Sequence, residues 1–331
     1  MHTIREATPD DNDALIDLER RSPLDLGDAL LTFDRSPNFF AHQRLEEHGR
    51  VLVAEEEGRL IGVVASAWHD VLIEGQQRRL IYIHQGRVLP QYRRWHVASD
   101  LVVHHLVLSR EEKVDAPYWL ISPNNDISLA FSRQVGVKHW PVDGRMDSFD
   151  VSARRPVERH VGNVGPGDMP TVLELINRTH TGREMFLPYT IERLQARLSL
   201  DSGYSWQQWR GYRSNQGLLA AAGMWDFGCS LKMKLKEKAT GEEHISAPAF
   251  VLDYGHAAGE EEAMVEVLMG LMAMAAEGER RDLMISLPTE SRLFSLMDDL
   301  PHSTTLFRIL TPGTPTPAKT NGSVYLDPIY V

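Results

Sequence analysis

At 331 residues with 42% apolar side chains, the chain has the length and composition for two globular domains, each with its own core. Its formal charge is 35 − 46 = −11, which disfavours nucleic acid and modestly favours a cationic or neutral amine as partner. The longest apolar run, Val265–Ala276, contains Glu266 and is too short to span a bilayer, the first residues hold no apolar signal core, and the single cysteine, Cys229, excludes internal disulfides and cysteine-rich zinc sites, so a cytoplasmic protein without a membrane partner is expected.

In chain order, Thr3–Ala7 reads as a strand, and Asp10 or Asp11 caps a helix with Ala14, Leu15 and Leu18 on one face. Val51–Ala54 and Leu60–Ala65 flank Glu55-Glu56-Glu57-Gly58-Arg59, a hairpin turning at Gly58. The β-type run Leu80–Leu89 then meets Pro90. After it the basic turn Arg93-Arg94-Trp95-His96-Val97-Ala98 opens into a helix whose buried stripe is Val97, Leu101, His104/His105 and Leu108. A strand feeding a basic loop at a helix N-terminus suits a diphosphate, because the first-turn N–H groups are unpaired and the helix dipole adds partial positive charge. Arg93 and Arg94 can each add charge-assisted hydrogen bonds worth roughly 1.5–3 kcal/mol when desolvated. By itself the pattern also fits a solvated basic turn in any α/β protein. Tyr118–Ile121 is a buried strand, and Ser122-Pro123-Asn124-Asn125-Asp126 starts another helix expected to end at Gly136.

The spacing Arg93-x-x-His96-x-Ala98, after Val88-Leu89-Pro90-x-Tyr92, resembles the acetyl-CoA pyrophosphate loop of the GNAT N-acyltransferase superfamily, Arg/Gln-x-x-Gly-x-Gly/Ala after a strand ending in Val-x-Pro. His96 stands where the family has its first glycine, and its Cβ requires a negative φ or strain of about 1 kcal/mol. Ala98 keeps the second small position. Asn125-x-x-Ser128-x-x-Phe131…Gly136-Val137 resembles the family's Asn-x-x-Ala-x-x-Leu-Tyr…Gly-Phe segment. The resemblance implies an α/β fold, a mixed sheet flanked by helices, with acetyl-CoA as cosubstrate and no metal. It places the diphosphate on Arg93, Arg94, Trp95, His96, Val97, Ala98 and Ser99, and the pantetheine arm along Gly86, Arg87, Val88, Asn125 and Ser128. For Asn125, an ordinary helix cap is the competing reading.

Transfer of an acyl group to an amine needs a proton acceptor and a donor for the developing oxyanion. Tyr82, His84, Gly86 and Val88 alternate onto one strand face. Gly86 suits the β-bulge that splays this strand from its neighbour in the family. His84 matches a position where arylalkylamine-type members carry a histidine, whose imidazole can take the amine proton; a satisfied core histidine is the competing reading. Tyr82 is a secondary candidate for positioning. Ser132 falls where many members have the tyrosine that protonates the departing thiolate, although a serine hydroxyl is a far weaker acid than a phenol of pKa about 10. His104 and His105 are adjacent and so cannot bind one metal from a helix. Cys229 reads as buried or half-buried.

Residues 1–150 are expected to form the cofactor-binding domain, 151–165 a linker, and 166–331 a degenerate second copy that helps form the acceptor site. In that copy Gly167-Asp168-Met169-Pro170 caps a helix through Thr171–Arg178, Thr190–Leu198 reads as another, Trp206–Tyr212 and Leu218–Trp225 as a hairpin, and Phe250–Tyr254 as a strand before a helix at Glu260–Ala276. Leu283–Leu287 reads as a strand, Ser291–Met297 as a short helix, Pro312–Asn321 as a loop, and 322–331 as a final strand. Glu260-Glu261-Glu262 would repel a diphosphate there. The leading expectation is an acetyl-CoA-dependent N-acetyltransferase acting on an amine. The alternatives are a catalytically impaired acyl-CoA-binding or regulatory protein, and a longer-chain acyl or aminoacyl transferase. The acceptor and the oligomeric state are not readable from the sequence.

Overall fold

A computed structural model of the chain describes residues 2–134, 137–200, 203–288, 291–311 and 324–330. In chain order the strands are β1 (Thr3–Glu6), β2 (Leu24–Asp25), β3 (Ala29–Asp34), β4 (Gly49–Glu56), β5 (Arg59–Ile73), β6 (Gln76–Val88), β7 (Ala116–Ile121), β8 (Lys138–Asp150), β9 (Val161–Asn163), β10 (Trp209–Ser214), β11 (Gly217–Trp225), β12 (Lys232–Glu237), β13 (Glu243–Ser246), β14 (Ala249–His256), β15 (Asp282–Ile285) and β16 (His302–Thr311). The helices are α1 (Asn12–Arg20), α2 (Val97–Glu111), α3 (Asp126–Gln134), α4 (Met169–His180), α5 (Ile191–Leu200), α6 (Glu261–Glu277) and α7 (Arg292–Ser295). None of the described helices is long and apolar enough to cross a membrane.

Two compact units result, neither continuous in sequence. The first takes the chain up to Pro141, then Ser230–Ile245 and the stretch beginning at Phe307. Its main sheet runs β1-β4-β5-β6-β7. Strands β4, β5 and β6 form an antiparallel meander, β7 lies parallel to β6, and Arg308–Leu310 of β16 pairs with Trp119–Ile121. Because both faces are covered, β4 and β5 are apolar at successive positions and divide them by alternation. Val51, Val53, Val63 and Ala65 meet Leu15 and Leu18 of α1, while Leu52, Ala54, Ile61 and Val64 meet Val97, Leu101 and Val102 of α2. A smaller sheet, β13-β12-β3-β2, brings the hairpin at 232–246 onto β3, with Lys232–Glu237 paired antiparallel to Ala29–Asp34.

The second unit takes Val142–Cys229, Ser246–Leu306 and the C-terminal residues 324–330. Its sheet runs β15-β14-β11-β10-β9, and Asp147–Asp150 of β8 pairs with β15. Helix α6 sinks into that core, which its fully enclosed Met264, Met269 and Met272 help to fill. Three expectations are corrected. Val324–Tyr330 forms an isolated bridge from Val324 to Glu184 and a 3-10 turn at Pro328–Tyr330 instead of a strand, since Asp327 there is drawn into a buried ion pair with Arg197. Trp206–Gln208 is a 3-10 turn capped by Ser205, so the hairpin strand begins at Trp209. Cys229 is exposed, its thiol 3.2 Å from Asp226 Oδ2, which is also paired with Arg280. The loop expected at Pro312–Asn321 and the helix end at Gly136 lie outside the described residues.

Candidate active site

Two departures from regular backbone build the site in the first unit. The parallel pairing of β6 and β7 covers Leu80↔Ala116, Ile81↔Pro117 and Tyr82↔Tyr118 and stops there, although β6 runs on to Val88 and β7 to Ile121. Past Tyr82 the β6 edge that faced β7 is therefore released from the ladder. On the other edge, Ala65 pairs with His84 and Val63 with Arg87, so Gln85 and Gly86 oppose Val64 alone. This is a β-bulge, which turns the strand end. Its left-handed residue is Gln85, at φ 52°; a Cβ on Gly86 would meet Val64 Cγ2 at an ordinary 3.9 Å. The bulge expected at Gly86 is thus made by the conformation of its neighbour.

The basic loop follows. Pro90–Tyr92 makes one 3-10 turn, and His96 caps α2 in the left-handed region at φ 60°, with Arg94 also left-handed at φ 73°. His96 therefore accepts the conformation a glycine would adopt freely, at a cost of about 1 kcal/mol. No side chain caps the first turn of α2, and the amides of Val97, Ala98 and Ser99 have no intrahelical acceptors by construction. Arg93 ties the loop down, reaching the carbonyls of Val88 and Pro23 at 3.4 Å each. Arg94, Trp95 and His96 are exposed, and Arg94 has no hydrogen-bond or ion-pair partner among the described residues. Gly62 on β5 lets this helix end approach, since a Cβ there would lie 2.7 Å from Val97 Cγ1.

Beside the opening, His84 is held on three sides. Its ring stacks on Tyr82 (centroids 4.7 Å, 6° apart), meets the edge of His42 at 5.7 Å, and places Nε2 3.0 Å from Glu46 Oε1. Glu46, fully enclosed, was not singled out in the sequence, where it sits in the surface-like run Leu45-Glu46-Glu47-His48. Burial alone would raise its pKa, but His84, His42 and Arg35 together hold it below the ordinary carboxylate range. Burial, then the Glu46 charge, push the Tyr82 phenol far up, so Tyr82 remains neutral and packs against His84 and Tyr118.

The α3 residues are used locally. Asn125 Oδ1 accepts from the Ser128 amide at 3.1 Å, an ordinary helix cap, and the Ser132 hydroxyl donates to the Ser128 carbonyl at 2.8 Å. His105 is a packed histidine, with Nε2 2.9 Å from the Val64 carbonyl and Nδ1 2.8 Å from Ser66 Oγ, whereas His104 points outward. In the second unit the first turn of α6 holds Glu261 and Glu262, both engaged by Arg292.

Residues 3–136 match the acetyltransferase (GNAT) domain family. The fold is similar over 98% of the chain to Saccharomyces cerevisiae N-myristoyltransferase with bound myristoyl-CoA, at TM-score 0.68 and 11% identity, covering 85% of that protein. A conserved protein of unknown function from Enterococcus faecalis V583, described as a probable N-acyltransferase, is similar over 94% of the chain and 72% of its own, with TM-score 0.52 and 13% identity. The glucosamine N-acetyltransferase region of a fungal multi-domain β-N-acetylglucosaminidase matches 94% of the chain and 38% of that protein, with TM-score 0.63 and 12% identity. No curated protein matches the sequence. The family match thus lies in residues 3–136, and the likeness in fold to acyltransferase structures extends along the chain.

Proposed function

We propose that the protein is an acetyl-CoA-dependent N-acyltransferase that moves an acetyl group directly from the thioester to an amine. One observation carries the reading: the left-handed His96 presents the uncapped first turn of α2 as a diphosphate cradle beside the point where β6 leaves β7. The amides of Val97, Ala98 and Ser99 take the diphosphate, and the unpaired Arg94 guanidinium adds charge. The pantetheine arm lies along the freed edge of β6, at Gly86, Arg87 and Val88, and main-chain N–H groups there meet the thioester oxygen.

His84 takes the amine proton as nitrogen attacks the carbonyl carbon, and Glu46, 3.0 Å away, stabilises the imidazolium formed. The C–S bond then breaks and the thiolate leaves. Ser132 is committed to the Ser128 carbonyl, so water protonates the thiolate in this scheme. The test is calorimetric titration with acetyl-CoA alongside longer acyl-CoAs. Micromolar binding of acetyl-CoA is expected, falling about tenfold or more in Arg93→Ala/Arg94→Ala, a loss of about 1.4 kcal/mol. Unchanged affinity in that double variant would remove the loop from the site. A histidine-lacking variant, His84→Ala, should keep the affinity and lose turnover.

A further inference from the structure

The cluster behind His84 contains more than a general base requires. His42, Glu46 and His84 each offer one ligand atom, and these atoms all lie within 4.8 Å of one another. His84 Nε2 is 3.0 Å and His42 Nε2 3.8 Å from Glu46 Oε1. Both Glu46 oxygens and His84 Nε2 are buried and lack a hydrogen bond of acceptable geometry among the described residues, despite this closeness. Donor and acceptor are thus near each other without being aligned. Tetrahedral zinc, with bonds of about 2.0–2.1 Å, requires ligand atoms about 3.3 Å apart, a spacing this cluster straddles.

The surroundings suit a cation site. The far nitrogen of His42, Nδ1, is 3.3 Å from Gln85 Nε2, and Gln85 Oε1 accepts from Gln43 Nε2 at 2.8 Å. Gly49 makes room for the carboxylate, since a Cβ there would lie 2.9 Å from Glu46 Oε2. The nearby cation, Arg35, is paired with Glu19 at 3.1 Å, and its charge also reaches Glu46. Two imidazoles and one carboxylate favour zinc-like transition metals over magnesium or calcium.

We propose that His42, Glu46 and His84 form a three-ligand site for a divalent transition-metal ion, zinc by preference, with the fourth position open. The ion takes the lone pair of the neutral His84 ring at Nε2, leaving the ring proton on Nδ1. It follows that bound zinc blocks transfer, a consequence that rests on His84 being the base, while the site itself does not.

The experiment titrates the full-length, metal-stripped protein with Zn2+ by calorimetry and with Co2+ by visible absorption, without acyl-CoA. One ion per chain and an intense tetrahedral Co2+ band are expected. Affinity should fall about tenfold or more in both His42→Ala and Glu46→Gln. His244→Ala tests the exposed Glu237–Glu242–His244 group and should leave binding unchanged. Circular dichroism of both ligand variants separates lost binding from lost folding, and His42→Gln replaces any variant that does not fold. Absence of the Co2+ band, or binding that survives both ligand substitutions or is lost in His244→Ala, would overturn the site. Zinc binding with undiminished acetyl transfer would keep the site and remove His84 as the base.

Discussion

At His105 a neutral imidazole is built into the core of the first unit. Its Nε2 lies 2.9 Å from the Val64 carbonyl and its Nδ1 2.8 Å from Ser66 Oγ, so a neutral ring donating to the carbonyl and accepting from the hydroxyl is fully satisfied. Burial, partly offset by the Val64 hydrogen bond, lowers its pKa from the ordinary 6.5 to about 4. Between those values the unfolded chain binds a proton that the folded chain does not. This contribution to stability is therefore complete above pH about 6.5 and declines on acidification until pH about 4, by a total on the order of 3 kcal/mol. Urea midpoints measured from pH 7 to 4 should fall more steeply in the natural protein than in His105→Gln; parallel curves would show that the imidazole is not held neutral. The sequence placed His105 on the buried stripe of α2 because apolar spacing surrounds it. It could not reveal Glu46, whose partner His84 is far along the chain and whose neighbours look solvated. Nor does sequence alone say whether Asn125 contacts a ligand or its own helix; the geometry places it on the Ser128 amide.

At the scale of elements, the contact between β5 and α2 sets where the loop stands. Gly62 lies under Val97 with no space for a methyl group. Gly62→Ala should therefore push the N-terminus of α2 off the strand, costing about 1–3 kcal/mol in stability and weakening acetyl-CoA binding. Val97→Ala in the same chain removes the clashing branch and should restore much of both. Denaturation and calorimetry on the single and double variants check this. Additive losses, with no recovery in the pair, would show that the close approach is not what positions the loop. The helix and its strand were readable because 3.6-residue and two-residue periodicities occur in sequence neighbours. The bulge was expected one residue away from its left-handed member, since a glycine is the usual sign of such a conformation and here Gln85 adopts it.

Across the whole molecule, each unit is completed by chain that is remote in sequence. Local patterning finds strands but not their partners, so nothing before residue 150 indicates that β3 needs Lys232–Glu237 beside it, or that β7 needs Arg308–Leu310. Without those segments, Ala29–Asp34 and Trp119–Ile121 would each present an open edge carrying apolar side chains, an invitation to aggregate. A fragment ending at residue 150 should then lose most of the about 5–15 kcal/mol that stabilises a typical domain, even though it contains the whole proposed cofactor loop. Limited proteolysis and urea unfolding of the fragment against the intact chain measure this, with cleavage expected first in residues 24–34. A fragment that unfolds cooperatively at the midpoint of the full chain would show that β1 to β7 stand alone and that the later strands only cover them.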